Sequence, residues 1–110
     1  MSDDPPQQFT RFAATFPGLA GAWQEARKAE EVGPLDLVTR RLIKLAIAVG
    51  AQKTGATRSA TKKAVRAGAS REAIHQVIAL SASTIGFPSA VAAHGWIEDA
   101  LEREQGRGSE

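Results

Sequence analysis

Cysteine and tyrosine are absent from this chain of 110 residues, and aromatic residues make up only 5% of it. Without a thiol the chain cannot form a disulfide, a thiolate metal site or a cysteine-based redox cycle. Lys44 interrupts the longest apolar run, which is too short to cross a bilayer. No segment alternates apolar and polar residues as a half-buried strand does. Together with an acidic start that does not resemble a secretory leader, these absences predict an all-α protein of the cytoplasm.

Acidic residues are missing from the middle of the sequence. None lies between Asp36 and Glu72, although that interval holds nine of the fourteen Lys and Arg residues and the net charge is only +2. A basic segment of this kind attracts small anions or pairs with an acidic face of a second subunit. Nucleic acid is a further alternative for residues 40–71. The segment lacks interleaved aromatics and a recognition-helix signature, so we expect no nucleic-acid partner.

Helical periodicity divides the chain into five or six helices. We expect residues 1–8 to form a flexible leader, residues 9–104 a single helical domain, and residues 105–110 a flexible tail. The helices are expected to begin near Phe9, Pro17, Leu37, Arg58, Arg71 and Pro88. Predicted N-caps are Asp36 and Ser70, and predicted helix ends are Gly68 and Gly86.

His94 is the main candidate for chemistry. Ala90, Ile97 and Leu101 lie at helical spacings from it, so we expect His94 on the buried stripe of the last helix. A packed core or interface histidine is one interpretation, and an imidazole that lines a cavity as general acid or base is the other. His75 is expected to be exposed or at an interface. Because nothing in the sequence brings the two histidines together with carboxylates, we expect no metal site and no cofactor.

Alanine-rich helix faces limit the core that a chain of this length can build. Small side chains let helices approach closely but bury little apolar area per residue. We therefore expect the chain to associate with itself and so cover Phe9, Phe12, Trp23 and Trp96.

Three segments, in their order and spacing, resemble the carboxymuconolactone decarboxylase and alkylhydroperoxidase D-like superfamily. They are FPGLAGAW, GPLDLVTRRLIKLAIAVGA and ATKKAVRAGASREAIHQVIALSASTIGFPSAVAA, and the resemblance runs from about Phe16 to Leu101. It implies an alkylhydroperoxidase D-like helical fold that assembles as a homo-trimer or homo-hexamer. Members of this superfamily include lactone decarboxylases and peroxide-reducing enzymes.

The chain departs from this superfamily at its reactive positions. Lys53, Ala56 and Ala60 stand where the peroxidase branch has its Cys-x-x-Cys pair and the following His, and Arg41 stands where a glutamate is common. Thiol peroxidase chemistry is excluded because the chain has no thiol.

The resemblance implies non-redox chemistry on a small carboxylated or lactone metabolite. If the chain is active, the resemblance implies a decarboxylase-like lyase. Lys53, Arg58 and Arg41 are the candidate contacts to the anionic ligand, and His94 is the candidate acid or base. The alternative is a catalytically silent, oligomeric family member that serves as a scaffold or binding subunit.

Overall fold

A computed structural model describes residues 7–108 of the chain, with side chains through residue 106. Residues 1–6 of the predicted leader and residues 109–110 of the predicted tail lie outside that range, and residues 7–8 of the predicted leader are helical. The described part contains helices and no strand, which confirms the predicted all-α class with six helices. They are α1 (Gln7–Thr15), α2 (Pro17–Ala29), α3 (Leu37–Gly50), α4 (Thr54–Ala67), α5 (Arg71–Ile85) and α6 (Phe87–Gly108).

Two compact units divide the chain between Pro34 and Leu35. The first unit contains α1 and α2, where the rings of Phe12 and Phe16 lie with their centroids 5.2 Å apart. The second unit contains α3 to α6 and every candidate functional residue of the sequence analysis. That residues 9–104 form a single domain stays a prediction.

Side-chain caps begin two helices of the second unit. Asp36 Oδ1 accepts a hydrogen bond of 2.8 Å from the backbone N–H of Thr39, and Ser70 Oγ accepts one of 3.0 Å from that of Ala73. The bond from Thr39 lowers the pKa of the Asp36 carboxyl below its usual value, because it stabilises the charged form. Both predicted N-caps are confirmed.

Glycines with positive φ end two helices of this unit. Gly68 follows α4 with a φ of 106°, and Gly86 follows α5 with a φ of 96°. L-residues rarely adopt these backbone angles, so glycine lets the chain turn sharply here. The tight turn at Gly86 is followed at once by α6, whose second residue is Pro88.

The start of α4 differs from its prediction. This helix begins at Thr54, four residues before Arg58, with Lys53 as its N-cap residue. Gly55 is the second residue of the helix and does not belong to a connector before it.

The end of α6 also differs from its prediction. The sequence analysis assigned residues 105–110 to a tail, but α6 continues to Gly108 and has 22 residues. Its last turns carry Glu104, whose contact with α4 is described below.

The core of the second unit lies between α3, α4, α5 and α6. Helix α3 packs against α4 and α5, and α6 packs against the same two helices. Ala93, Ile97 and Ala100 are fully buried and form the core-facing stripe of α6. The core cluster consists of Leu45, Val49, Ala64, Ile74, Val77, Ala93, Ile97 and Leu101. Beside this stripe, α5 and α6 carry partly exposed polar side chains, which form a polar flank next to the core.

Candidate functional site

Three ionisable side chains meet on the flank where α5 packs against α6. His75 comes from α5, and His94 and Glu98 lie one helical turn apart on α6. The Nε2 atom of His75 lies 2.7 Å from Oε1 of Glu98, and the Nε2 atom of His94 lies 3.3 Å from the same oxygen. The two imidazole rings have their centroids 6.1 Å apart. We call these three residues the His–Glu cluster.

Arg71 completes the surroundings of Glu98. Its Nη1 lies 3.0 Å from the second carboxylate oxygen, Oε2, so the two oxygens of Glu98 face different partners. The hydrogen bond with His75 lowers the pKa of the Glu98 carboxyl below its usual value, and Arg71 acts in the same direction against the opposing effect of burial. An ionised carboxylate only accepts hydrogen bonds, so His75 donates from Nε2.

The environment of His94 corrects the sequence analysis. Its side chain is 55% exposed and does not belong to the buried stripe of α6. Ala90, Ile97 and Leu101 are buried as predicted, but Ala93 occupies the core-facing position beside them. His94 follows Ala93 by one residue, a rotation of about 100° around the helix, and so points toward the flank. The interpretation of His94 as a core histidine is therefore wrong for the single chain.

The two histidines do meet a carboxylate, contrary to the expectation on which the predicted absence of a metal site depends. One ligand atom from each of His75, His94 and Glu98 lies within 4.8 Å of the others. The two helices make this contact between residues 23 positions apart. Helical spacing within one segment does not reveal such a contact.

The predicted anion contacts lie elsewhere on the second unit. Arg58 Nη2 lies 3.5 Å from Oδ2 of Asp99, on the side of α6 that faces α4. Lys53 is exposed at the start of α4, and Arg41 is half-buried on α3. Among the described side chains, none of these three has a hydrogen bond or ion pair with His94. Their role as anion contacts stays a prediction.

Helix α6 neutralises part of the basic face of α4. Besides the pair of Arg58 with Asp99, the guanidinium of Arg66 makes two contacts with the carboxylate of Glu104, at 3.2 and 3.1 Å. The Glu104 side chain is only 8% exposed. Arg58, Lys62 and Arg66 follow one another at spacings of four on α4. Two of these three residues thus have acidic partners within the same chain, which weakens the case for a nucleic-acid interface.

A shallow depression lies next to the cluster, about one helical turn toward the end of α6. Its volume is about 250 Å³, below the range of about 300–1,000 Å³ that holds drug-sized ligands. Arg71 lines the depression and also contacts Glu98, so one side chain joins the two features. The lining residues are Val65, Ala69, Arg71, Leu101, Glu104 and Gln105. Val65, Ala69 and Leu101 give the depression apolar surface, and Arg71 and Glu104 bring charges of opposite sign to its lining.

Comparison with known proteins identifies the family. The sequence profile of the carboxymuconolactone decarboxylase family matches residues 17–99. A crystal structure of a carboxymuconolactone decarboxylase family protein from Legionella pneumophila, in its apo form, superimposes with a TM-score of 0.79. The two chains are 28% identical, and the alignment covers 87% of each. No curated protein sequence matches the chain. The chain belongs to the carboxymuconolactone decarboxylase family, as the resemblance predicted.

Within the described residues, no helix combines the length and the apolar character that crossing a bilayer requires.

Sequence reasoning missed three members of the site. His75 was assigned to an exposed surface or an interface, and neither Arg71 nor Glu98 was considered as a functional residue. One local signal was available, because Glu98 follows His94 by four residues and the two therefore share a helix face. His75 and Arg71 reach Glu98 only because α5 packs against α6, and spacing within one helix does not reveal that packing.

Proposed function

We propose that this chain binds a small carboxylated or lactone metabolite beside the His–Glu cluster and acts on it without redox chemistry. The observation that carries the proposal is the convergence of His75 and His94 on one carboxylate, next to a small depression that Arg71 lines. Membership of the carboxymuconolactone decarboxylase family supports the ligand class, and the absence of cysteine leaves non-thiol chemistry.

Arg71 is the proposed contact to the ligand's carboxylate. A guanidinium has five N–H donors, and the contact with Glu98 is made through Nη1. The remaining donors can form charge-assisted hydrogen bonds with a second anion. Val65, Ala69 and Leu101 then offer apolar surface to the ligand's body. In this proposal Arg71 takes the role of anion contact that the sequence predicted for Lys53, Arg58 and Arg41.

His94 is the proposed proton donor and acceptor. Loss of CO₂ breaks a carbon–carbon bond whose electron pair stays on the substrate, and the carbon then takes up one proton. His94 is the more exposed imidazole of the cluster, and the adjacent carboxylate of Glu98 helps to orient it. This arrangement supports a decarboxylase-like lyase.

The experiment measures binding and turnover of small carboxylates and lactones, each carboxylate paired with its methyl ester, in the presence of a chelator. The ester keeps the shape and removes the charge, so the wild-type chain is expected to prefer the acid. Arg71→Gln should weaken binding of the acid by about tenfold, the loss of one charge-assisted hydrogen bond. His94→Gln should preserve binding and slow turnover by about a hundredfold or more.

Lys53→Gln is the matched control, because it removes one exposed positive charge away from the cluster. It should leave both binding and turnover unchanged. A loss with Lys53→Gln and none with Arg71→Gln would contradict the proposed site. Binding that is never followed by turnover would establish the alternative, a catalytically silent binding subunit.

We also propose that the chain assembles with copies of itself, as a trimer or a hexamer. Large apolar side chains of α3, α5 and α6 are exposed in the single chain, although they lie on well-formed helices. The most exposed are Ile47, Leu80, Phe87 and Val91, with relative exposures of 61% to 76%. A second copy with the same apolar faces is the partner that would cover them.

A further inference from the structure

We propose that the His–Glu cluster binds one divalent transition-metal ion of the zinc type. The three side chains come from two packed helices and place one ligand atom each within 4.8 Å of the others. This inference does not depend on the proposed substrate, because it concerns a metal ion alone.

The donor set selects the class of metal. Two imidazole nitrogens and one carboxylate oxygen form the ligand set of several catalytic zinc sites and of non-haem iron sites. Magnesium and calcium prefer all-oxygen surroundings and are not expected to bind here. Three protein ligands leave at least one coordination position open. That position would face solvent beside His94, whose side chain is more than half exposed.

Two of the three distances between ligand atoms are close to those that a metal ion needs, and the two imidazole ligand atoms lie within 4.8 Å of each other. Ligand atoms at about 2.0–2.1 Å from a tetrahedral zinc ion lie about 3.3 Å from one another. Nε2 of His94 lies 3.3 Å from Oε1 of Glu98, so this pair already has the required separation. Nε2 of His75 lies 2.7 Å from the same oxygen and would move outward by about half an ångström, within the range of a small side-chain rotation.

Arg71 leaves the metal-facing oxygen of Glu98 accessible. It contacts Oε2, whereas both histidines face Oε1. A hydrogen bond to the second oxygen of a ligating carboxylate is a common way to fix its orientation. The positive charge of Arg71 opposes that of the ion, but its contact does not occupy the binding position.

Metal binding and proton transfer are alternative uses of His94. An imidazole that binds a metal through Nε2 carries its proton on Nδ1 and has no free nitrogen with which to accept another. A metal-loaded chain should therefore differ in turnover from a chelator-treated one. For this reason the metal experiment contains no carboxylate ligand, and the carboxylate experiment contains a chelator. Failure of one proposal then leaves the other standing.

The test is calorimetric titration of Zn²⁺ into the full chain, with any affinity tag removed and metals stripped beforehand. We expect one Zn²⁺ per chain. His94→Ala and His75→Ala should each lower the affinity by at least about tenfold, since each removes a direct ligand. His94→Ala is a safe variant for folding because its side chain is largely exposed. Because the chain has only two histidines, NMR signals of both imidazoles should move together during the titration.

Asp99→Asn is the matched control for the variant Glu98→Gln. Both remove one negative charge from neighbouring positions of α6, but Asp99 faces Arg58 and not the cluster. Glu98→Gln should lose Zn²⁺ affinity, and Asp99→Asn should keep it. Equal affinity of Glu98→Gln and wild type, an unchanged affinity in both histidine variants, or no uptake of Zn²⁺ by the wild type would each overturn the inference.

Discussion

His75 Nε2 donates a hydrogen bond of 2.7 Å to Oε1 of Glu98, and this bond joins α5 to α6 on the polar flank beside the core. Glu98 also receives Arg71 on its other oxygen and lies within 3.3 Å of His94. One carboxylate thus organises two histidines and an arginine. No single segment of the sequence contains all four residues, so the group exists only in the folded chain.

The two N-caps should respond differently to pH. The hydrogen bond from the backbone of Thr39 lowers the pKa of the Asp36 carboxyl in the folded chain. The stability that the ionised carboxyl contributes is therefore fully present above the pKa of the unfolded chain. It is lost as the pH falls through the lower pKa of the folded chain. Asp36→Asn should keep a cap but flatten the acid side of the stability curve. Ser70→Ala should lower stability by about 1 kcal/mol at every pH.

Urea unfolding of these variants from neutral to acidic pH checks this prediction. The two variants can be compared because each cap side chain accepts a hydrogen bond from the backbone N–H three residues ahead. If Asp36→Asn keeps the full acid sensitivity of the wild type, another carboxyl group is responsible and the assignment to Asp36 is wrong.

The contact between Arg66 and Glu104 should stabilise the last turns of α6. Because the Glu104 side chain is only 8% exposed, Glu104→Gln should lower the free energy of unfolding by about 1–3 kcal/mol. Glu25→Gln is the control, since Glu25 pairs with Lys28 while both are more than 70% exposed. That change should cost less than about 0.5 kcal/mol. Equal losses in the two variants, measured by urea unfolding, would contradict the structural role of Glu104.

Self-association should depend on the exposed apolar faces. Sedimentation of the wild-type chain is expected to give a mass of three or six chains. Ile47→Lys and Phe87→Ser should reduce that mass to one chain without lowering helix content, because both side chains are exposed in the single chain. Val32→Lys, at an 85% exposed position outside the helices, is the control and should keep the assembly. A monomeric wild-type chain would refute the proposal.

Local signals account for what the sequence predicted well. Asp36 and Ser70 cap helices through residues three positions ahead, and Gly68 and Gly86 end helices through their own backbone angles. Such features depend on a few neighbouring residues, so they can be recognised without knowledge of the fold. The segment order was sufficient to indicate the family, which the profile match confirms.

Contacts between helices account for what the sequence did not reveal. His94 shares its spacing with buried residues, yet Ala93 takes the core position because of the way in which α6 is rotated against α5 and α4. The pairs of Arg58 with Asp99 and of His75 with Glu98 join residues that are 41 and 23 positions apart. The packing of α6 decides which of its side chains face α4 and which face α5. The oligomer, the substrate and the cytoplasmic location stay predictions.

We expect ligand recognition to take place at the flank between α5 and α6. Amide and imidazole NMR shifts of the full chain, recorded while a small carboxylate that it binds is added with a chelator present, test this expectation. The largest shifts should fall on Arg71, His75, His94 and Glu98, and the signals of Lys53 and Arg41 should not move. Shifts that centre on Lys53 and Arg41 and leave the His–Glu cluster unchanged would contradict this expectation.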